Sequence, residues 1–144
     1  MTKKDDFELQ NFLPYLLNQA AEESSLAFQN IYKDRYGMLR TEWRVLFHLG
    51  IYGRMTAKEI CERSKMHKTK ISRAVARLEA RRFLTRERGA DDRRLEYLEL
   101  TPAGRKAYDE LRAVAMDYDA QLAEAFSQEE VAVLRKLLTH LAKL

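Results

Sequence analysis

Residues 56–101 have the sequence TAKEICERSKMHKTKISRAVARLEARRFLTRERGADDRRLEYLELT, and they decide the fold of this chain. Thr56 and Glu59 form a capping box, in which each side chain accepts a hydrogen bond from an open backbone N–H group. The helix that begins there is short and ends near Arg63. After a turn, a second helical pattern covers residues 68–81, with apolar residues on one side only. This pair of patterns predicts a helix-turn-helix.

Two strand-like runs follow the second helix. They cover residues 83–88 and 95–100, and the loop between them, residues 89–94, is rich in Asp and Arg. A β-hairpin directly after a helix-turn-helix is called a wing. The sequence therefore predicts a mainly α protein with a small β-wing, and its winged helix-turn-helix covers about residues 41–101.

The rest of the chain is predicted to be helical. A first helix begins near Pro14 and stops at Gly37, and Thr41 is expected to cap the helix that precedes the helix-turn-helix. After the wing, Thr101 and the proline that follows it begin a long helix. Ser127 opens a second capping box and with it the last helix.

The helices at the two ends of the chain carry more apolar surface than a small winged core can cover. They lie at about residues 12–36 and 102–144. Exposed stripes of this kind are unusual for a monomer. We therefore expect the N- and C-terminal helices to form a helical dimerisation region, within one domain of residues 1–144. The alternative is that these helices pack only on their own domain.

The composition excludes several classes of protein. The chain has 144 residues, of which 46% are hydrophobic and 33% are charged, as in a helix-rich globular domain. It has no apolar run that could span a membrane and no signal-peptide core, so we expect a cytoplasmic protein without a membrane partner. Its single cysteine, Cys61, excludes an internal disulfide and a Cys-rich zinc site. We expect no metal and no cofactor.

The positive charge is concentrated in one segment. Residues 56–94 contain 13 Lys/Arg and 6 Asp/Glu, which gives a net charge of +7. Residues 1–55 contain 7 of each sign, and residues 95–144 contain 6 Lys/Arg against 9 Asp/Glu, a net charge of −3. A basic segment of this kind is typical of proteins that bind nucleic acid. The competing interpretation is a solvated helix face.

The basic residues of the second helix lie opposite Ile71, Val75 and Leu78, which face the core. In a helix-turn-helix the first turns of this helix contact base edges in the major groove. Arg can bond guanine through two hydrogen bonds, while Ser, Thr and Lys suit phosphates or bases. The predicted contacts to double-stranded DNA on this helix are Lys68, Thr69, Lys70, Ser72, Arg73 and, one turn further and nearer to phosphate, Arg77.

Four motifs, in this order along the chain, resemble the MarR family of bacterial transcription regulators. EWRVL at residues 42–46 resembles the family's second helix, and ISR at residues 71–73 resembles its recognition helix. DRR at residues 92–94 matches its D-x-R wing signature, and LTPAG at residues 100–104 matches the segment after the wing. The resemblance covers residues 12–144.

The resemblance implies roles for the residues of the wing. Arg94 resembles the arginine at the wing tip that enters the minor groove, and Asp92 would orient it by a charge-assisted hydrogen bond. Arg88 and Arg93 are candidate contacts to the DNA backbone. The resemblance also implies a homodimeric repressor on a pseudo-palindromic operator, with two recognition helices about 34 Å apart.

Relatives in this family often respond to small aromatic molecules bound between the terminal helices and the winged part. Arg44 could pair with the carboxylate of such a ligand, and His48 could donate a hydrogen bond to it. An aromatic stripe at helical spacing is also what a helix core presents, so core packing is the competing interpretation. The candidate pocket residues are Tyr15, Tyr36, Trp43, Arg44, Phe47 and His48.

One position departs from the family pattern. The family usually places Gly just after the recognition helix, where this chain has Arg81-Arg82-Phe83. If Arg82 adopts a left-handed conformation there, the cost is about 1 kcal/mol. The alternative is that the helix ends in a different way. Our hypothesis is that Arg82 adds a phosphate contact.

Two other functions compete with DNA-binding regulation. A winged helix can serve as a protein-interaction or architectural module, but the basic segment and the wing signature favour DNA. Cys61 raises the alternative of thiol-based redox sensing, although it lies beside Ala57 and Ile60, where a small core residue belongs. Enzyme activity is not expected, because the three histidines have neither metal-ligand spacing nor a neighbouring nucleophile motif.

Overall fold

The computed structural model describes residues 6–144; residues 1–5, which belong to the segment inspected for a signal peptide, lie outside it. The described chain forms six α-helices and one antiparallel sheet of three strands. In chain order the elements are α1 (Leu13–Tyr36), α2 (Arg40–Tyr52), β1 (Met55–Thr56), α3 (Ala57–Ser64), α4 (Lys68–Ala80), β2 (Leu84–Arg88), β3 (Glu96–Leu100), α5 (Pro102–Ala123) and α6 (Gln128–Ala142). The predicted fold class, mainly α with a small β-wing, is confirmed.

Helix α1 begins and ends as predicted, but α2 does not. Pro14 lies in the first turn of α1, and Gly37 closes it in the left-handed conformation with φ of 62°. The residue that precedes α2 is Leu39, so the prediction that Thr41 caps this helix is wrong. The reason is Glu42, whose buried carboxylate accepts a hydrogen bond from the Leu39 N–H group and thereby closes the first turn.

The capping signals of the later helices are confirmed. The Thr56 hydroxyl accepts a hydrogen bond from the Glu59 N–H group at 3.2 Å, and the Glu59 carboxylate accepts one from the Thr56 N–H group. Ser127 makes the same reciprocal pair at the start of α6. The Thr101 hydroxyl accepts a hydrogen bond from the Gly104 N–H group at 3.0 Å and caps α5.

The sheet has one strand more than the predicted hairpin. Strand β1 pairs with β3, with Met55 opposite Leu98, so the strand order is β1-β3-β2. The predicted hairpin of β2 and β3 is present, with Leu84 opposite Leu100 and Arg88 opposite Glu96. A strand of two residues has no detectable alternation, which is why the sequence did not reveal β1.

The core lies between the helix-turn-helix, α1, α2 and α5. Helix α4 presents Ile71, Val75 and Leu78 to it, and all three are at most 1% exposed. The other buried apolar residues come mainly from α1, α2 and α5 and from the sheet: Phe28, Tyr32, Met38, Val45, Leu46, Leu49, Met55, Ile60, Ala74, Leu84, Leu98, Ala107, Tyr108 and Leu111. This packing turns the opposite side of α4 toward solvent.

Helix α6 lies apart from this core. Within the described part of the chain none of its residues is buried. Together with the start of α1 and the end of α5 it forms an apolar groove of about 630 Å³. Two polar contacts hold α6 in place: Arg135 pairs with Asp119 of α5 at 2.7 Å, and the Lys65 ammonium donates to the Ala142 carbonyl. Its exposed apolar residues are Val133, Leu134, Leu137, Leu138 and Leu141.

Candidate nucleic-acid interface

The solvent side of α4 carries every residue of this helix that the sequence predicted to contact DNA. The apolar positions are buried and fix the rotation of α4 about its axis, so the polar positions between them point outward. Five of the exposed residues lie in the first two turns, which is the part of a recognition helix that contacts base edges. The exposed set is Lys68, Thr69, Lys70, Ser72, Arg73 and Arg77.

His67 caps this helix, a role that the sequence did not reveal. Its Nδ1 atom accepts a hydrogen bond from the Thr69 N–H group at 3.2 Å. Histidine is not among the preferred capping residues, which explains why the helix start was assigned without it. Nδ1 is therefore the acceptor atom of the His67 ring at the start of this helix.

The tip of the wing is held by a pair of residues. The Arg94 side chain donates from Nε to Oδ1 and from Nη2 to Oδ2 of Asp92, each at 3.1 Å. The Arg94 N–H group adds a third hydrogen bond to Oδ1 at 3.0 Å. These bonds from the side chain and then the backbone of Arg94 lower the pKa of Asp92. The arginine itself is 90% exposed, so the pair presents a fixed but accessible cation.

Further bonds close the loop beneath this pair. The Gly89 N–H group donates to the Leu95 carbonyl at 2.9 Å, and the Leu95 N–H group donates to the Asp92 carbonyl at 3.1 Å. The Arg88 guanidinium donates to the Arg93 carbonyl at 3.1 Å. Arg88 thus supports the wing tip, while the Arg93 side chain is exposed beside it.

Two arginines that the sequence did not single out anchor the wing. Arg86 of β2 pairs with Glu79 of α4 and with Glu96 of β3, both at 3.1 Å, and so joins the recognition helix to the sheet. Arg54 lies 4.5 Å above the centre of the Tyr97 ring on the other side of the sheet. Both contacts join residues far apart in sequence or on different strands, so only the fold brings them together.

Arg82 has the left-handed conformation that its position suggested. Its φ is 64°, and its carbonyl accepts a hydrogen bond from the Thr101 hydroxyl at 2.6 Å. The backbone therefore turns here as it would at a glycine. Because Arg82 has a Cβ atom, this left-handed conformation carries an energetic cost that glycine would not have. The Arg82 side chain is exposed. Its use in binding phosphate remains a prediction.

The candidate pocket residues do not all meet. Trp43 and Phe47 contact each other with ring centres 4.7 Å apart, and both pack on Phe28 in the core. Tyr15 and Tyr36 lie near opposite ends of α1, about 30 Å apart at the rise of an α-helix. Within one protomer, Tyr15 and Tyr36 therefore cannot line the same small-molecule site.

Tyr36 is engaged at the far end of α1. Its hydroxyl donates to the Glu110 carboxylate, and its ring packs edge-on against Phe83 with centres 5.9 Å apart. Burial, followed by the bond to Glu110, raises the pKa of Tyr36 to about 12. The phenol is thus kept as a hydrogen-bond donor to α5 over the whole neutral range.

Arg44 and His48 lie on the same side of α2. The His48 Nδ1 atom is 2.6 Å from the Arg44 carbonyl. Arg44 is half-buried, and burial, followed by repulsion from Arg40, lowers its pKa. No carboxylate of residues 6–144 lies within ion-pair distance of it. A half-buried guanidinium without a carboxylate partner is stabilised when it binds an anion.

Other kinds of site find no support in the part of the chain that the structure describes. Residues 6–144 hold no cluster of His, Cys, Asp or Glu side chains that could bind a metal ion. None of their helices is long and apolar enough to cross a membrane. Cys61 is partly buried and packs against the core, the surroundings that its position predicted.

The fold and the basic surface on α4 and the wing define a winged helix-turn-helix protein of the DNA-binding class. The model of the MarR family matches residues 36–95. A crystal structure of a MarR family transcriptional regulator from Silicibacter pomeroyi has 30% sequence identity and a TM-score of 0.80, covering 94% of this chain and 99% of that chain. The transcriptional regulator FarR of Neisseria gonorrhoeae is 29% identical over 104 residues, which are 72% of this chain and 70% of FarR.

A further structure, of NadR in complex with 4-hydroxyphenylacetate, has 25% identity and a TM-score of 0.77, covering 100% of this chain and 99% of that chain. The chain belongs to the MarR family, and it is a transcription regulator with a DNA-binding helix-turn-helix rather than an enzyme. The family assignment made from the sequence motifs is thereby confirmed.

Proposed function

We propose that this protein is a homodimeric repressor that binds a pseudo-palindromic operator and is released from it by a small aromatic acid. The observation that carries the proposal is the set of exposed basic side chains on α4 together with the exposed Arg94 that Asp92 holds in the wing. A protein of this kind acts on chromosomal DNA, so we place it in the cytoplasm. Repression would follow from occupying the promoter.

The proposed base contacts come from the first turns of α4. We assign Arg73 to bidentate recognition of a guanine, because it is exposed in the second turn and its backbone is held by buried neighbours. Arg77 lies one turn further along and is assigned to phosphate. The remaining proposed contacts on α4 are Lys68, Thr69, Lys70 and Ser72.

In the wing, we assign Arg94 to the minor groove. A guanidinium suits this role because it carries a permanent charge on a flat group that fits a narrow groove. Asp92 holds it in one orientation, which reduces the conformational entropy lost when it binds. Arg93 is assigned to the DNA backbone, and Arg88 is assigned to supporting it through the Arg93 carbonyl.

The proposed dimer places a second copy of this chain against α1, α5 and α6. The groove at their junction is lined almost wholly by apolar side chains, and the exposed apolar residues of α6 continue it. An isolated helix of 15 residues is marginal in water, so α6 needs a covering surface. A twofold dimer provides that surface and also two recognition helices for two half-sites.

We propose that the effector binds near Arg44. This half-buried cation lies beside Trp43 and His48, which offer an aromatic surface and a polar group. An aromatic carboxylate matches these features, and the related NadR has been crystallised with 4-hydroxyphenylacetate. Binding there would shift the dimer toward a half-site separation that no longer fits the operator.

The decisive experiment is selection of bound sequences from random duplex DNA. The expected product is a motif with twofold symmetry and half-sites about one helical turn apart. Enrichment of an asymmetric motif would overturn the dimer geometry, and absence of enrichment would overturn sequence-specific recognition. A promoter bearing the selected motif then reports repression as lower expression of a reporter gene.

The effector proposal is tested on the same duplex. Addition of 4-hydroxyphenylacetate should weaken binding by the parent protein, while an Arg44→Ala variant should bind DNA as the parent does without responding to the acid. 4-Ethylphenol, which keeps the phenol ring but lacks the carboxylate, serves as the matched ligand and should have no effect. An Arg44→Ala variant that responds like the parent would remove Arg44 from the site.

A further inference from the structure

Arg81 joins the end of the recognition helix to the end of α1. It is the first residue after α4, and its side chain is directed back toward α1. The Nη2 atom donates to the Gly37 carbonyl at 2.8 Å, and Nη1 donates to the Tyr36 carbonyl. One guanidinium thus bonds two successive carbonyls at the point where α1 stops.

The Arg81 guanidinium makes the kind of contact that stabilises the C-terminal end of a helix, here that of α1. The last carbonyls of a helix have no partner within the helix, and they form the negative end of its dipole. A guanidinium has parallel donors in a fixed fork, so it can satisfy two of them at once in one orientation. Lysine has the same charge but a single ammonium, and it would fix the direction less firmly.

The residues around Arg81 extend the contact into a joint. We use this term for residues 81–83 together with Tyr36 and Gly37. Phe83 packs edge-on against the Tyr36 ring. The Phe83 carbonyl accepts a hydrogen bond from the Thr101 N–H group at 3.0 Å, at the start of α5. The end of α4 is therefore bonded to both α1 and α5 within three residues.

Arg81 is poorly placed to contact DNA itself. It lies about 20 Å along the helix axis from Lys68, where the proposed base contacts begin. Its two terminal nitrogens are already bonded to carbonyls on the side of α1. Its neighbour Arg82 makes no such side-chain bond within residues 6–144, so the two arginines have different surroundings.

We propose that Arg81 is a positioning residue, which fixes the angle between α1 and α4 and thereby the distance between the two recognition helices of the dimer. This inference rests on the proposed dimeric function. In a dimer held together by α1, α5 and α6, each α4 is joined at its C-terminal end to the end of α1 through Arg81 and to the start of α5 through Phe83. A small rotation at the joint would displace the far end of α4 and change the half-site spacing that both helices can reach together.

The test uses the selected operator and versions of it in which the spacer between half-sites is longer or shorter by one or two base pairs. Dissociation constants are measured at fixed salt for the parent and for Arg81→Ala. The parent should prefer one spacing sharply. In Arg81→Ala the ratio between the best and the worst spacing should fall by about tenfold, a loss of the scale expected for charge-assisted hydrogen bonds.

Two matched variants make the result specific. Arg81→Lys retains the charge without the fork and should fall between the parent and Arg81→Ala. Arg112→Ala removes the same charge from an exposed position on α5 and should keep the spacing profile of the parent. Circular dichroism and thermal unfolding identify variants that fold, and Arg81→Lys carries the test if Arg81→Ala does not fold.

The outcomes are separable. The salt dependence of binding should be unchanged in Arg81→Ala, because no phosphate contact is lost. If the slope of log K against log salt were about 0.9 smaller in Arg81→Ala, Arg81 would be a phosphate contact and the proposal would be overturned. A spacing profile equal to that of the parent would overturn it as well. A parent protein without any preferred spacing would overturn the proposed dimer function, and this inference with it.

Discussion

The carbonyl oxygen of Phe83 lies 1.9 Å from the point that a Cβ atom would occupy on Gly104. The start of the wing and the start of α5 therefore meet backbone to backbone, as the bond between Thr101 and Phe83 also shows. A glycine in the first turn of a helix has no conformational need to be there, so this close approach explains the residue.

Gly104→Ala is expected to destabilise the protein. Alanine usually stabilises a helix relative to glycine by about 1 kcal/mol, but here two backbones would have to separate. We expect a net loss of about 1–3 kcal/mol in the free energy of unfolding, measured in urea. Ala103→Gly, at the exposed neighbouring position, is the control and should cost about 1 kcal/mol. A Gly104→Ala protein as stable as the parent would contradict the close approach.

The Asp92–Arg94 pair predicts a coupled loss of DNA affinity. Arg94→Ala should weaken binding about tenfold on any sequence with the same groove width. Asp92→Asn should weaken it by about threefold, because the arginine remains but is no longer held. In the double variant, Asp92→Asn should add nothing to Arg94→Ala. Titration by fluorescence anisotropy at fixed salt measures the cycle, and additive losses would show that Asp92 acts independently of Arg94.

Arg73 and Arg77 are predicted to make different kinds of contact with DNA, the first to a base and the second to phosphate. Arg73→Ala should lose about 1–3 kcal/mol of discrimination between the selected operator and one altered at the contacted base pair. Arg77→Ala should weaken all duplexes alike and reduce the slope of log K against log salt by about 0.9. The two variants remove equal charge from the same helix face, so each is the control for the other. Identical behaviour would mean that the base contact is assigned to the wrong residue.

Arg82 combines an energetic cost with a proposed use. Arg82→Gly should raise the free energy of unfolding by about 1 kcal/mol, because φ of 64° is natural for glycine. Arg82→Ala keeps most of the backbone cost and removes only the charge. If Arg82 contacts phosphate, both variants should show a lower salt slope in DNA binding, while only Arg82→Gly gains stability. An unchanged slope in both would reject the phosphate contact.

The apolar groove predicts where a charge would disrupt the proposed dimer. Leu134 borders it and is 43% exposed in the protomer. Leu134→Asp should raise the dissociation constant of the dimer by at least about thirtyfold in analytical ultracentrifugation. Ile51→Asp is the matched control, because Ile51 is 58% exposed but lies outside the groove, and it should leave the dimer intact. A Leu134→Asp protein that remains dimeric would move the interface elsewhere.

The features that could be predicted from the sequence are mainly those formed by residues close together in the chain. The capping boxes at Thr56 and Ser127 are formed by residues three apart, and the structure contains both. The cap of α2 was assigned wrongly, because the buried position of Glu42 depends on the packing of other helices. The residues after the recognition helix left two ways of ending it open, and the structure has the left-handed one at Arg82.

The wing and the joint show where this kind of prediction stops. The Asp92–Arg94 pair spans two residues and was expected from the motif, and its hydrogen bonds are present. The contact of Arg81 with Gly37 spans 44 residues and follows no motif. Trp43 and Phe47, four residues apart on one helix, do meet, whereas Tyr15 and Tyr36 are separated by the length of α1.

The exposure of helix α6 affects how the folding of the protein depends on its concentration. It buries none of its residues against the described part of its own chain, so its helical state depends on the surface that covers it. In the proposed dimer, folding at this end of the chain is linked to association by mass action, so we expect the unfolding temperature to rise with protein concentration. Dilution of the protein would then have a second effect besides its dissociation from DNA. It would also unfold α6, so that the concentration of the protein would set the fraction of chains in which this helix is formed.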